Sequence, residues 1–133
     1  IPVCGHVGLT PQSVHKLGGY KVQGKDEAEA DQIIKEALIL EEAGAELMVV
    51  ECVPNSLGAS LSRALNIPVI GIGAGADTDG QVLVLHDMLG ISQRLPKFTK
   101  NFLTGKDSIQ DAITAYGDDV RSGNFPASEH CFK

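Results

Sequence analysis

Disulfide chemistry is the first thing this sequence has too little material for. Its three cysteines, Cys4, Cys52 and Cys131, are an odd number, and no two stand at CxxC spacing. Such a scattered set fits a reducing compartment, read here as the cytoplasm, better than a cystine framework. Positive charge is also short: 11 Lys and Arg face 17 Asp and Glu, for a net charge of -6. That balance argues against non-specific nucleic-acid binding, yet leaves room for local positive charge that holds an anionic substrate. No apolar run approaches the ~18 residues of a membrane-spanning helix, and no signal-peptide pattern is visible. HxxxH and HExxH spacings are absent, so no self-contained metal site is written in the chain. The GxSxG elbow is absent too, which removes one familiar hydrolase pattern. A starting methionine is missing: the chain opens on Ile1-Pro2-Val3-Cys4 in strand-like sequence, so a segment of a longer polypeptide is expected.

What is present is globular. The 133 residues are 43% hydrophobic and 21% charged, enough for one domain with a core. Leu47-Met48-Val49-Val50 runs without a polar break and ends on Glu51. A continuous apolar run between helical patterns predicts a strand buried on both faces. Glu51 then stands where the strand emerges, the end at which parallel α/β folds build active sites. An ordinary solvated carboxylate at a strand exit is the competing reading. Cys52 is expected on the opposite side of the strand from Glu51, as a packing residue.

In chain order, Ile1–Cys4 reads as a short buried strand, followed by a loop with His6 at its mouth. Thr10-Pro11 reads as a helix start, with Gln12–Leu17 as one or two turns. Asp26–Ala43 is the clearest helix, with acidic residues in its first turn, Asp26 and Glu29 at capping-box spacing and an Asp31–Lys35 pair. Its apolar stripe is Ile33, Ile34, Ala37, Leu38 and Leu40, and Gly44 sits at the left-handed C-terminal cap. A helix over Ser56–Leu65, a strand over Ile67–Ile72 and a fourth apolar strand over Gln81–Leu85, ending on His86-Asp87, follow. A short helix is expected at Lys97–Leu103. A terminal helix is expected at Ser108–Arg121, with Ile109, Ala112, Ile113, Tyr116 and Val120 on one face. Alternating strands and helices predict a parallel sheet. Chemically loaded strand ends at His6, Glu51 and His86-Asp87 are what the active face of a βα barrel presents. A whole barrel needs eight strands and roughly 250 residues; this chain offers half.

Gly71-Ile72-Gly73-Ala74-Gly75-Ala76 fits a loose dinucleotide fingerprint but lacks the helix that should follow. Two other readings stand beside it: close backbone passage past a neighbour, and a barrel phosphate site. His6 and His86 are each open to a pocket role or to a structural one.

The residues also resemble a known family. Pro2–Gln12, Gly18–Gly24, Val50-Glu51-Cys52-Val53-Pro54, Ile67–Gly75, Thr78–Gln81, His86-Asp87, Pro96-Lys97-Phe98 and Lys100-Asn101-Phe102 are similar to the C-terminal half of ketopantoate hydroxymethyltransferase. The resemblance implies a (βα)8 TIM barrel of the phosphoenolpyruvate/pyruvate type. Residues 1–133 would be its last four strands, with a C-terminal helical extension at about 97–133. It implies hydroxymethyl transfer from 5,10-methylenetetrahydrofolate to 3-methyl-2-oxobutanoate, giving 2-dehydropantoate in pantothenate biosynthesis. It implies Glu51 as proton acceptor, with His6 at the same pocket, and a Mg2+ ion stabilising the developing enolate. It also implies a homo-oligomer, commonly a decamer, with no nucleic-acid or membrane partner.

The family's Mg2+-binding acids and its substrate-binding serine and lysine belong to the first four strands, so no metal ligand is assigned here. The segment alone is expected to be inactive and to need the N-terminal half, since four parallel strands leave two open edges. The alternative is a non-catalytic half-barrel, a binding or assembly module with a phosphate-binding glycine loop.

Overall fold

The computed structural model describes residues 1–133. Its centre is a parallel sheet of β1 (Cys4–Gly8), β2 (Leu47–Glu51), β3 (Val69–Ile72) and β4 (Gly80–Gln81), in the spatial order β1-β2-β3-β4. The sheet is left open at both edges, so β1 and β4 each have one side without a strand partner. The crossovers that carry α1 (Glu27–Glu42) and α2 (Asn55–Ala64) join β1 to β2 and β2 to β3. Beyond the sheet come a single helical turn, α3 (Leu85–Met88), and α4 (Ile109–Arg121), with 3-10 turns at Pro11–Ser13 and Ser128–His130.

The start and stop of α1 follow from its ends. Asp26 stays extended and its carboxylate accepts the Glu29 N–H at 2.9 Å, which satisfies one of the orphan donors of the first turn. Gly44, at φ +101°, takes the left-handed conformation that ends the helix. Leu38 of the expected stripe is exposed, while Ile33 and Ala37 are buried. Asp31 and Lys35 form no ion pair; the neighbouring Gln32 and Glu36 side chains bond instead, at 3.0 Å.

One face of the sheet makes the main core. Val7, Met48, Val50 and Val69 pack against Ile33, Ala37, Leu57 and Leu61. Met48, Leu61, Val50, Val53 and Val69 are fully buried, at roughly 1.5–3 kcal/mol each from leaving water. Gly58 lets α2 lie directly on the Ala74 carbonyl, because a Cβ there would collide with that backbone. The other face is less covered. Leu47, Val49 and Glu51 alternate with buried Met48 and Val50 and are only partly buried, so β2 is not buried on both faces as its apolar run predicts. The partly open face is where a closed barrel would have its interior.

Four other expectations are corrected. The first strand starts at Cys4, opposite Leu47 where β2 begins; the Val3 carbonyl still accepts the Glu46 N–H at 2.9 Å, but Ile1 and Val3 are exposed. His6 therefore lies inside β1, not in the loop after it. The fourth strand is Gly80–Gln81 alone. Gly73, at φ +66°, turns the chain away just after β3, and Val82 and Val84 are exposed. Residues 73–79 are too short a crossover for a helix, so this last connection is not a βα unit. Asp79 fixes it: its N–H donates to the Val69 carbonyl at 2.9 Å, and its carboxylate accepts the Val69 N–H at 2.8 Å and the Ser62 hydroxyl at 2.9 Å. Lys97–Leu103 is a series of turns and not a helix, and Thr10 makes no side-chain cap.

A second, smaller core holds α4. Ala112, Met88, Leu89, Phe102 and Phe125 cluster there, with Tyr116 and Val120 packed on them. Phe102 meets both Tyr116 and Phe125 edge to face at 5.3 Å. The Ser108 hydroxyl caps the helix by accepting the Asp111 N–H. Ile109 and Ile113, expected on the same face as Ala112, are exposed instead.

Candidate active site

Parallel register brings His6 and Glu51 together. His6 lies opposite Val49, and Glu51 is two residues further along β2, so both side chains project from the same face and meet diagonally. His6 Nε2 is 3.1 Å from Glu51 Oε2, and the side chains are 30% and 14% exposed. The ring N–H lies off the line to the carboxylate, and Nε2 has no aligned hydrogen-bond partner although it is buried.

Burial raises the Glu51 carboxyl above the ordinary carboxylate range, while neighbouring His6 pulls it down; burial wins. A raised pKa makes Glu51 a stronger proton acceptor than a solvated glutamate. Its main chain is fixed on both sides. The Glu51 carbonyl accepts the Leu9 N–H at 2.9 Å, and the next residue, Cys52, donates its N–H to the Ile72 carbonyl at 2.9 Å.

Cys52 departs from expectation. It has φ +54°, the only non-glycine residue with a positive φ, so strand alternation fails after Glu51. Its side chain packs with Leu9, Ile72 and Phe98, a cluster that Val49 of the Glu51 face also joins. It thus sits on the same side as Glu51 and not opposite it. The thiol is buried and pushed up to about 11, by desolvation and then by the nearby Glu51 charge. It is an uncharged packing group, as the sequence suggests, and a poor nucleophile.

His86 and Asp87 lie in α3, not at a strand end, and His86 is exposed. Asp87 accepts the Ser92 hydroxyl. Neither joins the Glu51 site. The glycine loop is filled by its own neighbours. A Cβ on Gly73 would meet Phe98, and one on Gly75 would meet Asn55. The Gln81 amide donates to the Gly75 carbonyl and to Thr78. These are close-packing reasons for the glycines, and a strand rather than a helix follows them.

The C-terminal segment beyond α4 reaches this end of the sheet. Phe132 meets Phe98 edge to face at 6.3 Å, and its carbonyl accepts the Asn55 N–H at the start of α2. Lys97 donates to the Cys131 carbonyl at 2.6 Å and lies 5.2 Å from the centre of the Phe132 ring. The apolar Phe132 within the tail was the signal available for this docking.

Glu51 and His6 offer one carboxylate and one imidazole, and no group of three or more His, Cys, Asp or Glu side chains is arranged so that it could hold a metal ion. Mg2+ takes oxygen ligands in a near-octahedral set, which this pair does not make up. Two surface depressions, of about 350 and 400 Å3, lie between the N-terminal ends of α1 and α2 and along α4; neither includes His6 or Glu51. The site is one wall of an open face. No helix is long and apolar enough to cross a membrane.

The sequence model of the family described as ketopantoate hydroxymethyltransferase matches residues 1–128. The chain is 58% identical, over its whole length, to 3-methyl-2-oxobutanoate hydroxymethyltransferase of Alteromonas mediterranea, of which it covers 51%. It is 60% identical over its whole length to the protein of that name from Idiomarina loihiensis, covering 50%. It is also 60% identical, over 99% of its length, to the one from Pseudomonas fluorescens strain Pf0-1, again covering 50%. The chain spans about half the length of the curated relatives it matches, their C-terminal half.

Proposed function

The chain belongs to the ketopantoate hydroxymethyltransferase family, and on that premise we propose that it supplies the C-terminal half of a (βα)8 barrel that transfers a hydroxymethyl group to 3-methyl-2-oxobutanoate. The one-carbon donor is 5,10-methylenetetrahydrofolate, and the product is 2-dehydropantoate. Residues 1–133 contribute the last strands, with 97–133 as an extension around α4. The observation that carries this reading is the His6–Glu51 pair, 3.1 Å apart on the less covered face of the sheet.

Glu51 accepts the C3 proton of the keto acid. The C–H electron pair passes into an enolate; one water releases the one-carbon unit from methylenetetrahydrofolate as formaldehyde, with tetrahydrofolate leaving, and C3 bonds to that carbon while its C=O π pair takes up a proton and becomes the new hydroxyl. Desolvation makes the carboxylate basic enough for this work, and His6, beside it, steadies the negative charge before the proton arrives. The strand end fixes the direction of approach through the Leu9 and Ile72 backbone contacts. Because Glu51 and His6 do not form an oxygen-rich set, we place the Mg2+ of the resemblance outside this chain and route no step through it. We further propose a cytoplasmic homo-oligomer, with a decamer as the expected form. Exposed apolar residues such as Val84, Ile91 and Ile113 support subunit contacts.

Complementation tests the function. The chain alone should form no 2-dehydropantoate. Mixed with the N-terminal half of the Idiomarina loihiensis relative, it should form product that depends on both pieces. Persistent inactivity of the folded, assembled mixture would overturn the reading. Phosphate binding by the chain alone, with no activity in the mixture, would favour a non-catalytic half-barrel.

A further inference from the structure

The three longer strands leave the sheet through left-handed residues within one residue of the same level. Gly8, paired with Glu51, has φ +87°, Cys52 has φ +54° and Gly73 has φ +66°. For β1 and β3 the residue is glycine, which adopts this conformation freely. Only the strand that carries the carboxylate uses a residue with a side chain, for which this conformation is disfavoured. Strain of this kind persists where surrounding structure over-determines it. Here the Cys52 N–H donates to the Ile72 carbonyl at 2.9 Å, its carbonyl accepts the Gln23 N–H at 2.9 Å, and the Val53 N–H donates to the Gly73 carbonyl at 3.1 Å. The kink turns the thiol off the strand's alternation and into the cluster of Leu9, Ile72 and Phe98, on the Glu51 side.

We infer that Cys52 is a positioning residue for Glu51: its left-handed backbone swings a small, uncharged side chain onto the site's face, where it shields the carboxylate from water. Its reactivity has no part in this role. A buried thiol brings little polarity, and sulfur is soft enough to fill the space between Leu9 and Ile72. A serine would offer a hydroxyl that hydrogen-bonds the carboxylate, and a glycine would leave room for water. The functional meaning of this arrangement rests on the reading of Glu51 as proton acceptor, but the arrangement itself is measurable without turnover.

The test follows the Glu51 side-chain carboxyl by 13C NMR in the full chain through a pH titration. Wild-type protein and the Cys52→Gly, Cys52→Ala and Cys52→Ser variants are compared, with circular dichroism to follow folding. The expected order places wild type and Cys52→Ala highest, with Cys52→Ser and Cys52→Gly shifted down toward the ordinary carboxylate range. A merely structural role for Cys52 would change the melting temperature and leave the Glu51 midpoint where it is. Equal midpoints in folded wild type and Cys52→Gly overturn the inference. If Cys52→Gly does not fold, the alanine and serine variants decide: equal midpoints for those two overturn it as well. Loss of Glu51's catalytic role would appear separately, in turnover assays, and would leave the titration order unchanged.

Discussion

Gly8→Ala should disturb the chain at the point where β1 touches the carboxylate-bearing strand. Gly8 is the register partner of Glu51 and has φ +87°. A Cβ built there stands against the Glu51 carbonyl oxygen, well inside van der Waals contact, and 3.0 Å from Val53 Cγ1. The left-handed backbone alone costs an alanine about 1–2 kcal/mol. The methyl group also competes for the space in which the Leu9 N–H donates to that carbonyl at 2.9 Å, and losing this bond costs about 1 kcal/mol. The expected destabilisation is therefore about 2–3 kcal/mol. Gly44→Ala is the control, because Gly44 has φ +101° and nothing within 4 Å of a built Cβ. It carries only the conformational part, so the two variants should differ by about 1 kcal/mol, roughly a fivefold difference in unfolding equilibrium. Urea unfolding followed by circular dichroism measures both, with unchanged m values required for the comparison. If Gly8→Ala costs no more than Gly44→Ala, the close approach of β1 to the Glu51 backbone is wrong.

Two further predictions concern pH. Glu51 has a folded-state pKa above its unfolded value. Its stabilising contribution is thus complete below the unfolded pKa and is lost as pH rises through the folded one. Glu51→Gln should remove that pH dependence from urea midpoints measured between pH 4 and 8, and an unchanged wild-type slope in the variant would contradict the assignment. His130 runs the other way. It is buried, its Nδ1 accepts the Ala127 N–H at 3.1 Å, and burial lowers its pKa, opposed by the Glu129 charge and assisted by that of Lys100. Its stabilising contribution is present above the unfolded pKa of about 6.5 and is lost as pH falls through the folded value. Hydrogen exchange at the Ala127 amide, corrected for intrinsic rate, should lose protection at acid pH, and His130→Gln should abolish that pH dependence.

Much of this was legible because it is local. The cap at Asp26, the stop at Gly44 and the course of β2 all follow from side chains acting within a turn or two of themselves. The placing of Glu51 at a strand exit needed only the break in the apolar run. What was not legible depends on partners distant in sequence. Ile1–Cys4 has the composition of a strand, but the ladder with β2 runs only from Cys4, and before it a single bond, from the Glu46 N–H to the Val3 carbonyl, continues the pairing. Gln81–Leu85 has the composition of a strand too, yet the turn at Gly73 ends the ladder it needed. The side of the sheet on which Cys52 lies was misread because period two holds only while the backbone stays extended, and no local signal marks a left-handed cysteine. The docking of Phe132 on Phe98 joins residues far apart in the chain, which no periodicity reports.

The central claim is that Glu51 is the proton acceptor, and turnover of the Glu51→Gln variant tests it most directly. In the chain complemented by a relative's N-terminal half, the amide keeps the size of the side chain and removes its basicity. The predicted result is a fall of about 10²–10⁴-fold in 2-dehydropantoate formation with assembly intact. Turnover equal to that of the wild-type mixture would contradict the claim.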